Sequence, residues 1–362
     1  MGGKMADFAG WMLPLWYPTG QVAEHHAVRK TCGLFDICHM GEFEITGDGA
    51  AAFLSRMLTN DLSRMTDRQA MYYFLLNESA GTIDDCILYR FDVSHWMLVV
   101  NAGNTRTDLD WLRAHLPSGT SVADISGRTA KLDIQGPAAP RLMSRWIAPP
   151  DLSNLKFFRF IPGVTIDGME VLVSRTGYTG EIGFELYTNS SNAADLWNLL
   201  LSEGKTAGIL PCGLGARDTL RIEAGLPLHG HELRPDWPCL GHPWEFALFW
   251  EHEFMGKEAL LEYRNRGPCR FIQAFAMNGR RKAMAGWQVF SGKERIGTVL
   301  SSVISPTLGN VPIGFFEADR MLPEGTPLTF AQADGSIPLD GKAARIPFVP
   351  PTSRRSLDSF MN

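Results

Sequence analysis

The sequence predicts an α+β protein: a body of mixed, mainly antiparallel sheets with helices, followed by a C-terminal β domain, either a small barrel or a sandwich. Three observations predict this. Helical periodicity and period-two alternation are mixed along the chain as far as Met255. Beyond it, helical periodicity fades and short β runs dominate: FIQAFAM, WQVFSG, RIGTVL, PIGFFE, PLTFA and ARIPF. Turn signals are frequent, with 36 Gly and 22 Pro, which favours many short strands. A chain of 362 residues has room for two or three domains. The change of texture puts the boundary between residues 255 and 270, giving a body at 1–255 and a barrel domain at 256–362.

Each element follows from its local pattern. Val22–Cys32 reads as a helix closed by Gly33. Glu42–Gly47 alternates as a strand, and Ala50–Leu58 is amphipathic with Phe53, Leu54, Met57 and Leu58 on one side. Met71–Asn77, Thr82–Phe91 and His95–Gly103 are three strands. Asn104–Leu116 is a helix with a polar start. Later strands are expected at Lys131–Gln135, Phe157–Ile161, Glu170–Arg175 and Glu181–Thr188, and helices at Asn192–Ser202 and Leu214–Ala224.

Composition narrows the function. Hydrophobic residues make up 45% and charged residues 20%, so a folded domain is expected rather than disorder. The net charge of −5 argues against a nucleic-acid binder, whose affinity comes from neutralising phosphates. No stretch reaches the ~20 apolar residues that a spanning helix needs. The first residues lack a basic-then-apolar leader. The six cysteines form no C-x-x-C pair and read as reduced, buried thiols, so the expected location is cytoplasmic. Neither G-x-G-x-x-G nor G-x-x-x-x-G-K-[ST] occurs. His229, His231 and Glu232 lack zinc spacing and a third ligand, so no metal is expected. Trp11, Trp16 and Trp287 read as packing residues.

A short turn centred near Val93 joins Thr82–Phe91 to His95–Asn101. A turn symmetric about Val93 puts Asp85 directly across from Asn101, with Cβ atoms about 5 Å apart. Alternation gives Asp85 the same face as Ile83, Ile87 and Tyr89. A carboxylate on an apolar face needs partners and is the kind of acid whose proton affinity is tuned for function. The competing reading is a solvated acid beside a turn, and a slip of one residue would put Asp84 inside instead. In RTGYTGEIGFELY, alternation puts Glu181, Glu185 and Tyr187 on one face, suited to adjacent N–H donors or else to solvent. Arg217 and Arg221 lie four apart on the helix after GLG and suit an anionic group, or else form a surface ladder with Asp218 and Glu223.

Taken in order, these segments resemble the aminomethyltransferases (T-proteins) of the glycine cleavage system. The matching stretches are FAGWMLPLWY, EHHAVRKTCGLFDICHMGEFEITG, YYFLLNESAGTIDDCILYRF, VVNAGN, LDIQGP, SRTGYTGEIGFE, CGLGARDTLRIEAGLPLHG, FMGKEAL, RIGTVLSSVISPTLG and RIPFV, spanning residues 5–349. The resemblance implies two intertwined subdomains and a barrel around a central folate cavity. It implies transfer of a one-carbon unit from the aminomethyl-lipoyl arm of H-protein to tetrahydrofolate, a cosubstrate, yielding methylene-tetrahydrofolate, ammonia and the reduced arm. The family's catalytic Asp aligns with Asp85. Its Asn near the folate aligns with Asn101, its pterin-binding Glu with Glu185, the Arg of its GARD segment with Arg217 and its preceding-strand Tyr with Tyr72. Tyr178 joins these as a folate-binding expectation. The chain departs from the family in a shorter Pro243–Leu260 segment and in Met284, where relatives often carry Arg. The alternatives are a demethylase of the same fold, moving a methyl group from an O-, S- or N-methyl metabolite to tetrahydrofolate, and a non-catalytic folate-binding accessory protein. The accessory branch carries K-G-C-Y-x-G-Q-E where this chain reads R-T-G-Y-T-G-E.

Overall fold

A computed structural model describes residues 1–334, 336 and 338–361. Its architecture is α+β, with a six-stranded and a five-stranded sheet in the body and a closed six-stranded barrel at the C-terminus. One body sheet runs in the order Phe160–Ile166, Met169–Ser174, Gly183–Asn189, Thr129–Gln135, Cys32–Asp36, Ile209–Cys212. The other runs Gln69–Leu76, Thr82–Arg90, His95–Val100, Gly41–Thr46, Ser121–Asp124. The chain leaves the first sheet after Asp36, builds the second, and re-enters the first at Thr129. This crossing makes the two halves intertwined. The barrel is formed by six strands between Phe271 and Ala344.

Each layer buries its own core. Leu34, Ile134, Phe184 and Leu186 pack under the first sheet against Leu196 and Leu200 of the helix Ala193–Glu203. Phe43, Leu88 and Leu98 pack under the second against Phe53, Leu54 and Met57 of the helix Ala50–Met57. Phe275, Phe316 and Phe330 fill the barrel. Phe74, Leu76, Trp237, Trp244 and Phe315 join the body to the barrel.

Several elements differ from the sequence reading. The first helix is Gln21–Lys30, and Gly33 lies inside a strand instead of closing the helix. A Cβ there would sit 2.4 Å from Val28 Cγ2 and 2.8 Å from Cys212 Sγ, so close packing of helix on strand requires the glycine. A helix does follow Met255, at Lys257–Arg266; its apolar stripe is narrow, with only Leu260 fully buried. The expected strand at Phe157–Ile161 starts later, at Phe160. ARIPF is not a strand: the last strand is Leu339–Ala344, after which the chain returns to the body and Phe348 N donates to Glu223 O at 2.9 Å. Lys4–Phe8 and Trp11–Trp16 form an unanticipated hairpin. Trp11 on it is half exposed, not a packing residue. Cys269 is likewise exposed, unlike the buried thiols expected. No helix among the described residues is long and apolar enough to cross a membrane.

Candidate active site

The hairpin register is the expected one. Ile87 pairs with Val99, Leu88 with Leu98 and Tyr89 with Met97. Carried two residues further, this ladder brings Asp85 to Asn101, and Asn101 Nδ2 donates to Asp85 Oδ1 at 3.0 Å. The neighbouring strand supplies Tyr72, whose hydroxyl donates to Asp85 Oδ2 at 3.0 Å.

Ile83 does not share the face of Asp85. Leu75 pairs with Asp84, but Leu76 pairs with Thr82, so Ile83 is an extra residue in a β-bulge. Ile83 therefore turns to the core with Cys86 and Leu88, while Ile87 and Tyr89 pack between the two sheets. Asp85 stays on the cavity side. Asp84 is fully buried behind it and accepts from Asn101 N at 2.9 Å and Asn104 Nδ2 at 2.6 Å.

A cavity of about 570 Å³ lies between the sheets, the N-terminal hairpin and the loops carrying Leu226, Trp244 and Pro351. All six residues expected from the sequence line it: Tyr72, Asp85, Asn101, Tyr178, Glu185 and Arg217. Its volume is within the range of small-molecule sites. Burial first, and then the charge of Asp84, push the Asp85 carboxyl up to about 7. The carboxyl can therefore hold or release a proton near neutral pH.

The far wall carries a second polar group. Glu185 sits on the strand Gly183–Asn189 and is nearly fully buried. Thr176 Oγ1 donates to its Oε2 at 2.6 Å, and Lys131 Nζ lies 3.2 Å from its Oε1. Burial alone would raise its proton affinity, but Lys131, Thr176 and Arg217 together hold it below the ordinary carboxylate range. Its cross-strand neighbour Asp133 is pushed the other way, to about 7, by burial and by the charge of Glu185. Arg217 Nη1 lies 3.2 Å from Asp133 Oδ2, and the Arg217 guanidinium is 4.7 Å from the centre of the Tyr178 ring. The Tyr178 hydroxyl donates to Pro227 O.

Two of the sequence suggestions fall away. Glu181 does not share a face with Glu185, because the regular strand begins only at Gly183; it pairs instead with Arg29 at 2.9 Å. Arg221 does not join Arg217 in the cavity. It is buried between Asp218 at 2.9 Å and Glu232 at 2.8 Å. The expected ladder partner Glu223 pairs elsewhere, with Arg29 at 2.8 Å.

Sequence reasoning missed several lining residues. Lys131 could have been found, because Lys131, Asp133 and Gln135 alternate on one strand face opposite Glu185. His39 had no signal. Burial, then Arg217 and Lys131, push its ring down to about 3, so it faces the cavity neutral. Phe246 stands 68% exposed at the cavity edge, its ring 5.9 Å from that of Tyr72. His229 also lines the cavity; among the described residues no His, Cys, Asp and Glu cluster could hold a metal ion.

The chain is similar to known proteins over most of its length. Residues 1–250 match the model of the GCVT N-terminal domain family. An aminomethyltransferase of Halalkalibacterium halodurans is 43% identical over 88% of this chain and 87% of its own length. One of Shouchella clausii is 44% identical over the same shares. The crystal structure of glycine cleavage system aminomethyltransferase T from Bartonella henselae superposes with a TM-score of 0.88 at 32% identity, covering 97% of this chain and 95% of that one.

Proposed function

The chain belongs to the GCVT family and is an aminomethyltransferase of the glycine cleavage type, and on that premise we propose that its central cavity takes tetrahydrofolate and that a lipoylated H-protein brings the aminomethyl donor. One observation carries the folate reading. The Asp85 carboxyl, bonded by Tyr72 and Asn101, lies in the same cavity as the acceptor Glu185 and the cation Arg217.

The donor set fits a reduced pterin with an acidic tail. A pterin presents an N–H and an amino group side by side, and a carboxylate such as Glu185 accepts two parallel N–H bonds well. Folate ends in carboxylates, for which Arg217, stacked on Tyr178, is a cation in the cavity lining. The neutral walls, Phe158, Val99 and Leu226 among them, suit a ring system. Tetrahydrofolate supplies the nitrogen nucleophiles that accept the one-carbon unit. Asp85 orients them and takes up a proton as they react. Tyr72 and Asn101 fix the rotamer of that carboxyl. The protein thus works by positioning and electrostatics, with no covalent step of its own.

We further propose residues 1–255 and 256–362 as the two domains. The barrel strands fall between Phe271 and Ala344, which supports the division.

The decisive experiment supplies aminomethylated H-protein and tetrahydrofolate and identifies the folate product. Methylene-tetrahydrofolate with ammonia release, abolished in Asp85→Ala, is the expected result. Methyl-tetrahydrofolate formed from a methylated metabolite would replace the reading with that of a demethylase. Absence of tetrahydrofolate binding by calorimetry would reject both.

A further inference from the structure

Asp84 accepts three hydrogen bonds beside the cavity, yet it does not line it. Its Oδ2 accepts from the backbone N–H of Asn101 at 2.9 Å. Its Oδ1 accepts from Asn101 Nδ2 at 2.8 Å and from Asn104 Nδ2 at 2.6 Å. Asp84 therefore grips Asn101 at both backbone and side chain.

The grip is itself braced. Asn104 Nδ2 lies 2.8 Å from His229 Nδ1, and His229 Nε2 lies 3.0 Å from Thr82 O. A carbonyl only accepts, so His229 carries its proton on Nε2 and offers Nδ1 as an acceptor to the Asn104 amide. The reverse orientation of Asn104 would set its oxygen against Asp84 at 2.6 Å, two acceptors in contact. The chain Thr82–His229–Asn104–Asp84–Asn101 is thus connected by hydrogen bonds, with Asn104 donating to both His229 and Asp84 and Asn101 donating to both Asp84 and Asp85.

We infer that Asp84 is a positioning residue for this aminomethyltransferase: through Asn101, and braced by Asn104 and His229, it aims the Asp85 carboxyl into the cavity. The inference rests on the reading of Asp85 as the site base. Charge supports it as well as geometry. Asp84 and Asp85 both touch Asn101 Nδ2, so their carboxylates lie within about 6 Å, where a like charge raises proton affinity. The other groups facing Asp85 are Tyr72 from the neighbouring strand, Tyr178 and His229 from the loops beside the cavity, Cys86 next along the strand, and Asp108 from the helix Thr105–Ala114. Asp108 is neutral there, pushed up to about 11 by burial and then by Asp84. Asp84 is accordingly the negative charge that acts on Asp85.

The test measures kcat, KM for tetrahydrofolate and the pH profile for the full chain carrying Asp84→Asn, Asp84→Glu or Asp85→Asn. Asp84→Asn is expected to lower kcat about tenfold, to leave KM within about twofold, and to move the acid limb of the profile down by about one pH unit. Asp84→Glu keeps the charge but displaces the grip, so the limb returns to its wild-type position while kcat stays reduced. An unshifted limb and unchanged kcat in Asp84→Asn overturn the inference. Should that variant fail to fold, wild-type kcat in Asp84→Glu overturns it equally. Activity surviving in Asp85→Asn would instead reject the base itself, whatever Asp84 does.

Discussion

Lys131 Nζ lies 3.2 Å from Glu185 Oε1, and both side chains are almost completely buried. The pair sits on adjacent strands of the first sheet, at the inner wall of the cavity. Lys131 keeps Glu185 ionised where burial alone would neutralise it. A charged acceptor is thereby held ready for a ligand bearing two N–H groups.

Glu185→Gln replaces one acceptor oxygen with a donor. Only one of two ligand N–H groups can then be matched, and an unpaired buried donor remains. Tetrahydrofolate affinity is expected to fall about 10- to 100-fold, a loss of about 1.4–3 kcal/mol. Isothermal calorimetry reads this directly. Unchanged affinity would move the pterin away from Glu185.

The proton affinity of Asp85 sets a pH dependence. The carboxyl is raised to about 7, so the ionised form is lost as pH falls through that value. The rate should therefore rise with pH and level off above about 8. A rate independent of pH between 5.5 and 8, roughly, would remove Asp85 from the base role.

Asp108 makes a statement about stability. Burial and the charge of Asp84 raise it from an ordinary 3.8 to about 11, so the native state holds a proton that the unfolded chain releases. Its stabilising contribution is fully present only below pH 3.8 and is lost as pH rises toward 11. Asp108→Asn removes that loss by substituting a neutral group of the same shape. The variant should gain stability over the wild type, and the gain should grow by at most about 1.4 kcal/mol per pH unit between pH 5 and 8. Chemical denaturation at the two pH values measures it. A gain that shrinks with pH would show Asp108 to be ionised.

Glu223 works in the opposite sense. It lies fully buried, 2.8 Å from Arg29 Nη2 and 3.3 Å from His25 Nε2, and accepts from Ser305 and Thr307 of the barrel. Burial alone would raise it, but His25, Ser305 and Arg29 hold it down to about 2. Its contribution is present above the ordinary value of 4.5 and is lost as pH falls toward 2. Glu223→Gln should cost about 3 kcal/mol at pH 7, because a buried cation loses a partner. The difference from wild type should narrow by pH 3. An equal penalty at both pH values would assign the effect to packing instead.

The sequence by itself determined most element types of the body, the hairpin register and the order of family motifs. These are local properties: alternation follows from the pleat, and a short turn leaves little choice of register. That is why Asp85 could be set across from Asn101 before any coordinates. The tertiary structure decided among the polar residues that the local pattern left open. The bulge at Ile83 turns that residue into the core and leaves Asp84 behind the sheet. Arg217 reaches the cavity while Arg221, one helical turn on, is taken by Glu232. Glu181 is drawn to Arg29, a residue 152 positions away in the chain. A charged side chain takes the nearest partner that compensates its desolvation, and that partner comes from a distant part of the chain, where no local pattern records it.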